Sequence, residues 1–172
     1  MNADAPRRMG YCWETALRRR CRPADPSDPG LEDLVRDMRR LLREHDGVGL
    51  AAPQAGDDRR VILVRKPEDP PERVRVLVNP EILETSDDRV PFLEGCLSFP
   101  DVYRTVHRPS RIKARAVGLD GRPQELDADG ILARVIQHEV DHLDGILFVD
   151  HLSIWERFRV RFRMQLWRLG WR

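Results

Sequence analysis

Lysine is almost absent from this sequence, and cysteine is scarce. Lys66 and Lys113 are its lysines among 30 basic residues, so nearly every positive charge is an arginine. Three cysteines in 172 residues are too few, and too irregularly spaced, for the disulfide framework of a small secreted domain. The cysteine content therefore favours a reducing compartment, the cytoplasm.

Long apolar runs are also missing. No stretch approaches the roughly 20 apolar residues that a membrane-spanning helix needs, so no membrane partner is expected. The N-terminus lacks the apolar core of a secretory signal, and Asp4 and Glu14 weaken a transit-peptide interpretation while leaving organelle targeting open. A net charge of +1 argues against a general polyanion binder, and no DNA partner is expected.

Length and composition indicate one globular domain. The chain has 41% hydrophobic and 34% charged residues, and its length suits one packed core. We therefore expect a single domain over 1–172. Within it, the segment 1–27 leads into the turn-rich stretch PADPSDPG at 23–30, and 153–170 has the pattern of a basic amphipathic helix.

Hydrophobic periodicity predicts three helices. Asp28 can cap the first and Pro29 suits its first position, after which apolar residues recur at helical spacing to about residue 45. The same spacing returns over 131–143 and over 153–169.

Alternation of apolar and polar residues predicts strands between these helices. The segments 60–65 and 73–79 form a predicted hairpin, and 111–119 alternates as a half-buried strand does. The predicted fold class is therefore α+β. We expect antiparallel β-sheets around a central helix, with an N-terminal amphipathic helix and a C-terminal helix.

The central predicted helix carries the stretch QHEVDHLDG. On a helix His138 and His142 share one face about 5–6 Å apart, so both can bind one metal ion. Glu139 can then reach a water on that ion without ligating it, which is the chemistry of the H-E-x-x-H motif. Asp141 and Asp144 are interpreted as solvated acids.

Two histidines leave the metal site one protein ligand short. His151 would be the third ligand of a zincin-like metallopeptidase, although a turn separates it from His142. Cys96, in LEGCLSFP, is the other candidate, because a thiolate is a strong ligand for zinc or iron. It follows Glu94 and Gly95, a pair that is unexpected inside a core strand.

A third stretch, GVGLAAPQ, covers residues 47–54. Its small residues permit close backbone approach to a bound group. Gln54 then supplies an amide that can donate to a developing oxyanion.

The stretches GVGLAAPQ, EGCLS and QHEVDHLDG, in this order, resemble the three motifs of the peptide deformylases. The resemblance covers roughly 31–152 and implies a hydrolase that removes the formyl group from N-formylmethionyl peptides, in a bacterial-type cytoplasm. It implies one divalent metal per chain, with Fe²⁺ as the native ion and Zn²⁺, Ni²⁺ or Co²⁺ as substitutes. The implied metal ligands are Cys96, His138 and His142.

The resemblance also implies roles for the other motif residues. Glu139 would be the general base, and the Gln54 side chain with the Leu97 backbone N–H would stabilise the oxyanion. Gly49 would offer its backbone to the substrate amide. Glu94 and Gln137 would belong to supporting hydrogen-bond networks.

A methionine slot is expected beside the metal. Arg134 would lie at its mouth, near the peptide backbone. The apolar candidates serve equally well as plain core, and they are Val48, Phe92, Ile131 and Val135, next to His138.

The two ends of the chain leave alternatives open. Residues 1–27 match the family pattern poorly, so a place for Tyr11 or Trp13 near the site is not predicted. In the C-terminal helix, one interpretation packs an aromatic face on the domain and leaves the arginines in water. The other has the arginines contact ribosomal RNA. The apolar face in question consists of Trp155, Phe158, Phe162, Leu166 and Leu169.

Three other functions stay open at this point. They are a zincin-like metallopeptidase, a deformylase paralogue with a specialised substrate, and a ribosome-associated protein that keeps the metal for structure. A structural zinc site usually has four protein ligands, whereas three ligands with Glu139 beside them indicate an open catalytic position.

Overall fold

The computed structural model describes residues 7–171 as one α+β domain, as the sequence predicted. Two antiparallel sheets and three α-helices make up its regular structure, together with single 3-10 turns at Thr15–Arg18, Ala52–Ala55 and Phe148–His151. The elements in chain order are α1 (Gly30–Glu44), β1 (Gly49–Ala51), β2 (Val61–Val64), β3 (Arg75–Thr85), β4 (Arg89–Cys96), β5 (Phe99–Pro109), β6 (Arg111–Val117), β7 (Pro123–Asp129), α2 (Gly130–Leu143) and α3 (Ile154–Arg168).

The larger sheet has the strand order β1-β2-β3-β6-β7 and lies between two helices. Strand β2 is buried on both faces, which explains its unbroken apolar sequence. Val61 and Leu63 pack in the cluster that contains α1, whereas Ile62 and Val64 pack in the cluster that contains α2. The predicted β2–β3 hairpin and the inward face of β6 are confirmed.

Helix α1 begins where the sequence indicated. The Asp28 carboxylate accepts a hydrogen bond from the backbone N–H of Gly30 at 2.8 Å, and Pro29 already has helical dihedral angles. Its apolar residues are all buried against the sheet. This helix closes the face of the sheet that lies away from α2.

The second sheet is the hairpin β4–β5, and it corrects the expectation about Glu94 and Gly95. Both residues lie inside β4, paired with Arg104 and Tyr103 of β5. A Cβ on Gly95 would lie 2.6 Å from the Tyr103 ring, so a side chain at this position would require the ring to move. Glu94 is tolerated because buried cations surround its carboxylate, as described below.

Helix α3 contradicts the packing predicted for it. Its aromatic face points into solvent, with Phe158 66% and Phe162 59% exposed, whereas Val160 and Met164 are buried against the domain. This helix has apolar residues on two faces. The prediction that the aromatic face packs on the domain is wrong, because the other face does so. Across the described residues, no helix combines the length and apolar character needed to cross a bilayer.

The segment before α1 is tied to the catalytic motifs. The backbone N–H of Gly10 donates to the Gln54 carbonyl at 2.7 Å, and the Ser98 hydroxyl donates to the Gly10 carbonyl at 2.7 Å. Beside this link, Tyr11 stacks on Trp13 with ring centroids 5.1 Å apart, and Trp167 of α3 contacts both rings. This segment therefore joins α3 to the site.

Candidate metal centre and catalytic site

Three side chains converge on one point between α2 and the end of β4. The ligand atoms of Cys96, His138 and His142 all lie within 4.8 Å of one another. The Cys96 Sγ is 3.2 Å from His142 Nε2, and the two imidazole rings are 5.1 Å apart. One turn of α2 provides the histidine pair, and β4 provides the sulfur.

The end of β4 is shaped to present Cys96. The regular pairing with β5 stops at Gly95, and Cys96 then pairs with Phe99 across a register shift. Such an irregularity bends the strand and re-aims its side chains. It turns the sulfur toward α2.

Glu94 orients His138 from behind. The His138 Nδ1 lies 3.1 Å from the Glu94 carboxylate, which leaves Nε2 for a cation. Arg108 donates to the same carboxylate at 2.8 and 3.2 Å, and Arg134 donates at 2.6 Å. Burial alone raises the pKa of Glu94, but the bonds from His138 and Arg108 and the Arg108 charge hold it well below its usual range. We call Glu94 and its three partners, His138, Arg108 and Arg134, the Glu94 hub.

The pKa values of the two histidines are shifted in opposite directions. Burial lowers the pKa of His138, but hydrogen bonds to Cys96 and Glu94 outweigh it and raise that pKa well above its ordinary value. Burial lowers the pKa of His142 well below that value, and the nearby His138 charge adds to the effect. In the metal-free protein these shifts favour the neutral form of His142 and the protonated form of His138.

Cation binding to the metal-free protein is therefore expected to release protons, and affinity is expected to rise with pH, because metal ligands bind deprotonated. Calorimetric titration with zinc in buffers of different ionisation enthalpy measures this release. The Glu94→Gln variant is expected to release fewer protons, because His138 then loses one partner that raises its pKa. Heats that do not depend on the buffer would contradict the prediction.

Glu139 is buried beside the three ligands. It is 5% exposed, and among the described residues its Oε2 has no hydrogen-bond partner. Burial raises its pKa to about 7, although the His138 and Arg108 charges oppose the shift. A buried, unpaired carboxylate oxygen next to one sulfur and two imidazoles fits a divalent cation and a water molecule. The residues present therefore suit a catalytic metal site.

Gly49 approaches Glu139 so closely that no side chain fits there. A Cβ at this position would lie 2.3 Å from Glu139 Oε1 and 2.8 Å from Val135 Cγ1. Gly47, the other glycine of GVGLAAPQ, is also closely packed, since a Cβ there would lie 2.9 Å from the Leu97 side chain.

Replacing Gly49 by alanine is expected to displace the Glu139 carboxylate and to lower kcat/KM about 10²-fold, the loss typical of misplacing a catalytic group by about 1 Å. Steady-state assays on a formylated peptide measure the loss. Gly30→Ala, at the start of α1, is the control, because its Cβ would lie no nearer than 3.2 Å to another atom. Equal activity of the two variants would contradict the prediction.

Gln54 lies on the other side of the sulfur. Its Oε1 accepts from the Ala51 N–H at 2.8 Å, so its Nε2 points toward Cys96 Sγ at 3.6 Å and Ser98 Oγ at 3.1 Å. The side chain is 1% exposed and held by the turn Ala52–Ala55. Its amide N–H groups therefore face the point where the three ligands meet.

Most of the predicted site residues line one cavity of about 580 Å³. His142, 1% exposed, lies behind the cavity wall. The other predicted residues line the cavity, namely Val48, Gly49, Gln54, Phe92, Cys96, Leu97, Ile131, Arg134, Val135, His138 and Glu139.

Two expectations about charged residues are wrong. Arg134 is buried in the cavity wall and does not lie at the mouth: it donates to Glu94, Val106 and Val90, and its guanidinium lies 5.3 Å from the Phe92 ring. Asp141 is not simply solvated, since it accepts from Arg108 at 2.7 Å and lies 2.8 Å from His151.

Asp144 and His151 are also paired with residues outside the cluster of possible metal ligands. Asp144 accepts from Arg60 at 2.7 Å, so it too is paired. His151 points to Asp141, away from the cluster of possible ligands, and does not supply the third ligand that a zincin needs. Gln137 donates to the carbonyls of Pro109 and Ala133 and supports α2 apart from the Glu94 hub.

Sequence reasoning missed several residues at the site. Arg108 was not singled out, because an arginine in a strand gives no local signal of burial. Tyr11, Tyr103 and Trp167 also line the cavity. These residues come from distant parts of the chain, so only the fold brings them together.

Two imidazoles and one sulfur around a single point, with a buried carboxylate beside them, define a metal-dependent hydrolase built on an H-E-x-x-H helix. The family model described as polypeptide deformylase matches residues 8–158, and the chain belongs to this family. It is therefore a hydrolase that removes the formyl group from formylmethionyl peptides during the maturation of newly made proteins.

Other peptide deformylases are similar to this protein over most of its chain. A peptide deformylase of Chromohalobacter salexigens is 46% identical over 149 residues, 87% of each chain. The crystal structure of a peptide deformylase from Legionella pneumophila has a TM-score of 0.89 and 37% identity, over 98% of this chain and 99% of that one. A Met-Ala-Ser-bound structure of the Acinetobacter baumannii enzyme has a TM-score of 0.79 and 37% identity, over 86% of this chain and 99% of that one.

Proposed function

We propose that Cys96, His138 and His142 hold the catalytic metal and that Glu139 acts as the general base. The Glu139 carboxylate takes a proton from the water that attacks the formyl carbon. It then delivers this proton to the leaving amine when the C–N bond breaks, so that formate and a free amino terminus result. The burial of Glu139 and its unpaired Oε2 support this role.

The oxyanion and the peptide are held by neighbouring groups. The Gln54 Nε2, 3.6 Å from Cys96 Sγ, and the backbone N–H of Leu97 donate to the oxygen of the tetrahedral intermediate. Gly49 aligns the substrate amide. The methionine side chain fills the part of the cavity lined by Val48, Phe92, Ile131, Val135 and His138.

The donor set suggests the metal. One sulfur and two imidazole nitrogens suit zinc or iron, and ferrous iron is proposed as the native ion, with zinc, nickel or cobalt as substitutes. A divalent cation held there would lower the pKa of a water molecule and polarise a carbonyl oxygen.

The experiment that tests this proposal combines anaerobic metal analysis with a formate assay on formyl-Met-Ala-Ser. The peptide is the formylated form of the Met-Ala-Ser that is bound to the Acinetobacter baumannii relative. About one metal ion per chain, together with formate release, would support the assignment. Metal without formate release from any formylated peptide would refute it.

Replacing Cys96 by serine is expected to abolish tight metal binding and deformylation together, because a hydroxyl is a poor ligand for zinc or ferrous iron. Metal content after gel filtration measures the first effect. Cys21→Ser is the control, since Cys21 lies in the core away from the ligands. An unchanged metal content in Cys96→Ser would remove this residue from the ligand set.

We also propose a cytoplasmic location and a contact with the ribosome through arginines of α3. Five arginines and a single acid lie between Ile154 and Arg168, and the arginines are exposed. Phosphate contacts of this kind weaken strongly with salt. Co-sedimentation of wild type and Arg159→Glu/Arg163→Glu with ribosomes, across a salt series, tests the contact. Sedimentation that neither salt nor the charge reversal weakens would refute it.

A further inference from the structure

Arg65, directly after β2, is a buried arginine that the proposed mechanism does not use. It is 7% exposed, and arginine is seldom buried to this extent without a carboxylate partner. Among the described residues, the only acid within salt-bridge distance is Asp46, whose oxygen lies 3.5 Å away and whose side chain is 96% exposed. An ion pair with such an exposed partner contributes little to stability, so charge pairing does not explain the burial of Arg65.

The Arg65 guanidinium instead donates to backbone carbonyls of two separate segments. Its Nε donates to the Gly47 carbonyl at 3.0 Å. Its Nη1 donates to the carbonyls of Asp69 at 2.9 Å and Pro67 at 3.4 Å. A planar, forked guanidinium has donors that point in several directions, which suits it to hold carbonyls on two sides at once. Arg65 therefore ties the segment 46–49 to the turn 67–69.

Both of the segments that Arg65 joins contribute to the wall of the catalytic cavity. The segment 46–49 lines it throughout, and Pro67 lines it from the turn. This segment leads into β1, an outer strand of the larger sheet that is paired with β2. The backbone N–H of Arg65 donates to the Val48 carbonyl at 2.9 Å. Arg65 thus holds this part of the cavity wall with its main chain and its side chain.

The segment 46–49 depends on Arg65 because its own backbone is strained and poorly bonded. Asp46 has a φ of 47°, in the left-handed region that few residues with a side chain adopt. Gly47 is buried, and across residues 7–171 no donor other than the Arg65 Nε is bonded to its carbonyl. A buried carbonyl without a donor is unfavourable, so loss of the guanidinium would release this segment from its position.

We propose that Arg65 is a positioning residue for substrate binding. By holding the Gly47 carbonyl and the turn 67–69, it fixes the segment along which the formylated peptide lies. This inference rests on the proposed alignment of the substrate amide by Gly49. Arg65 does not line the cavity, and it makes no hydrogen bond to β4 or α2, which carry the proposed metal ligands and Glu139. Its loss should therefore weaken substrate binding more than it slows the chemical step.

Steady-state kinetics of the zinc-loaded protein on formyl-Met-Ala-Ser test the proposal. Arg65→Met, which keeps an apolar stem without the fork, is expected to raise KM roughly tenfold, as expected for losing one hydrogen bond from a charged group. The value of kcat is expected to change by less than about threefold, the pattern of lost ground-state binding. Simple destabilisation has the opposite signature, because a partly unfolded sample contains fewer active molecules, which lowers the apparent kcat and leaves KM unchanged.

A second buried arginine provides the matched control. Arg59 is 6% exposed, but it donates to Asp28, Asp57 and the Gly30 carbonyl, and it does not line the cavity. Arg59→Met is therefore expected to lose stability and to keep the KM of wild type. Arg65→Lys retains the charge on a single nitrogen, which cannot replace the fork, and is expected to raise KM by an intermediate factor. This variant decides the question if Arg65→Met does not fold.

Hydrogen exchange over 46–49, followed by mass spectrometry, provides a readout that needs no turnover. Exchange is expected to be faster in both Arg65 variants than in wild type, and unchanged in Arg59→Met. A wild-type KM in the Arg65 variants, a loss confined to kcat, or unchanged exchange over 46–49 would overturn the proposal. A wild-type protein that binds metal but releases no formate would instead refute the catalytic assignment, and the exchange measurement would then decide whether Arg65 holds the segment.

Discussion

Replacing Glu139 by alanine is expected to lower kcat by about 10²–10⁴-fold while leaving the bound metal in place, because in the proposed mechanism the carboxylate transfers protons and is not a metal ligand. Its side chain lies beside Cys96, His138 and His142 but is not part of the set of converging ligand atoms. Loss of this carboxylate should therefore lower kcat and leave metal binding and KM nearly unchanged.

The surroundings of Glu139 suit the proposed role of general base. Burial raises its pKa to about 7, near the pH at which a general base transfers protons best. The absence of a side chain at Gly49 gives it room, since a Cβ there would overlap its Oε1. A solvated surface glutamate has neither property.

The measurement pairs metal analysis with single-turnover kinetics on formyl-Met-Ala-Ser. Glu68→Ala, which removes an exposed glutamate in the loop after β2, is the control and is expected to keep full activity. Turnover of Glu139→Ala close to that of Glu68→Ala would remove Glu139 from the mechanism. Loss of metal from Glu139→Ala would instead make it a ligand.

The parts of the fold and site that follow from the sequence are those with a local signal. The i, i+4 histidine pair of α2 and the alternating strand β6 can be recognised from a short window, because helix and strand geometry set the spacing. Cys96 could be placed near the histidines only through the family resemblance, since the contact joins β4 to α2. No spacing rule connects those two elements.

Two failures have a physical cause. Helix α3 has apolar residues on two faces, and periodicity cannot say that Val160 and Met164 pack while Phe158 and Phe162 do not. Arg134 was placed at the mouth of the methionine slot from its position relative to the motifs, and that position does not predict burial. Its burial depends on Glu94, which is 40 residues away in the chain.

The Glu94→Gln variant is expected to destabilise the metal-free protein by about 3–5 kcal/mol, the usual effect of removing one partner from a buried ion pair. Glu94 is 5% exposed, and the two arginines and His138 all donate to its carboxylate. A neutral amide would leave these cations without their shared counter-charge. Metal affinity is expected to fall as well, because His138 loses the group that orients it.

The pH dependence provides a second readout with a definite sign. The folded-state pKa of Glu94 lies well below the ordinary value of 4.5, so its contribution to stability is fully present above that pH. The contribution is lost as the pH falls below about 4.5 toward the depressed pKa. Relative to wild type, Glu94→Gln should therefore show its full deficit at neutral pH and a smaller deficit in acid.

Denaturant unfolding of the metal-free proteins at several pH values measures both effects, and β3 offers a matched control. Glu81 forms an ion pair with Arg115 at 2.7 Å, but their side chains are 56% and 62% exposed, so Glu81→Gln is expected to change stability by less than about 1 kcal/mol. The two substitutions make the same chemical change in different surroundings, and the difference between them isolates burial. If Glu94→Gln were no more destabilising than Glu81→Gln, the Glu94 hub would not stabilise the fold. The positioning of His138 would then have to come from α2 alone.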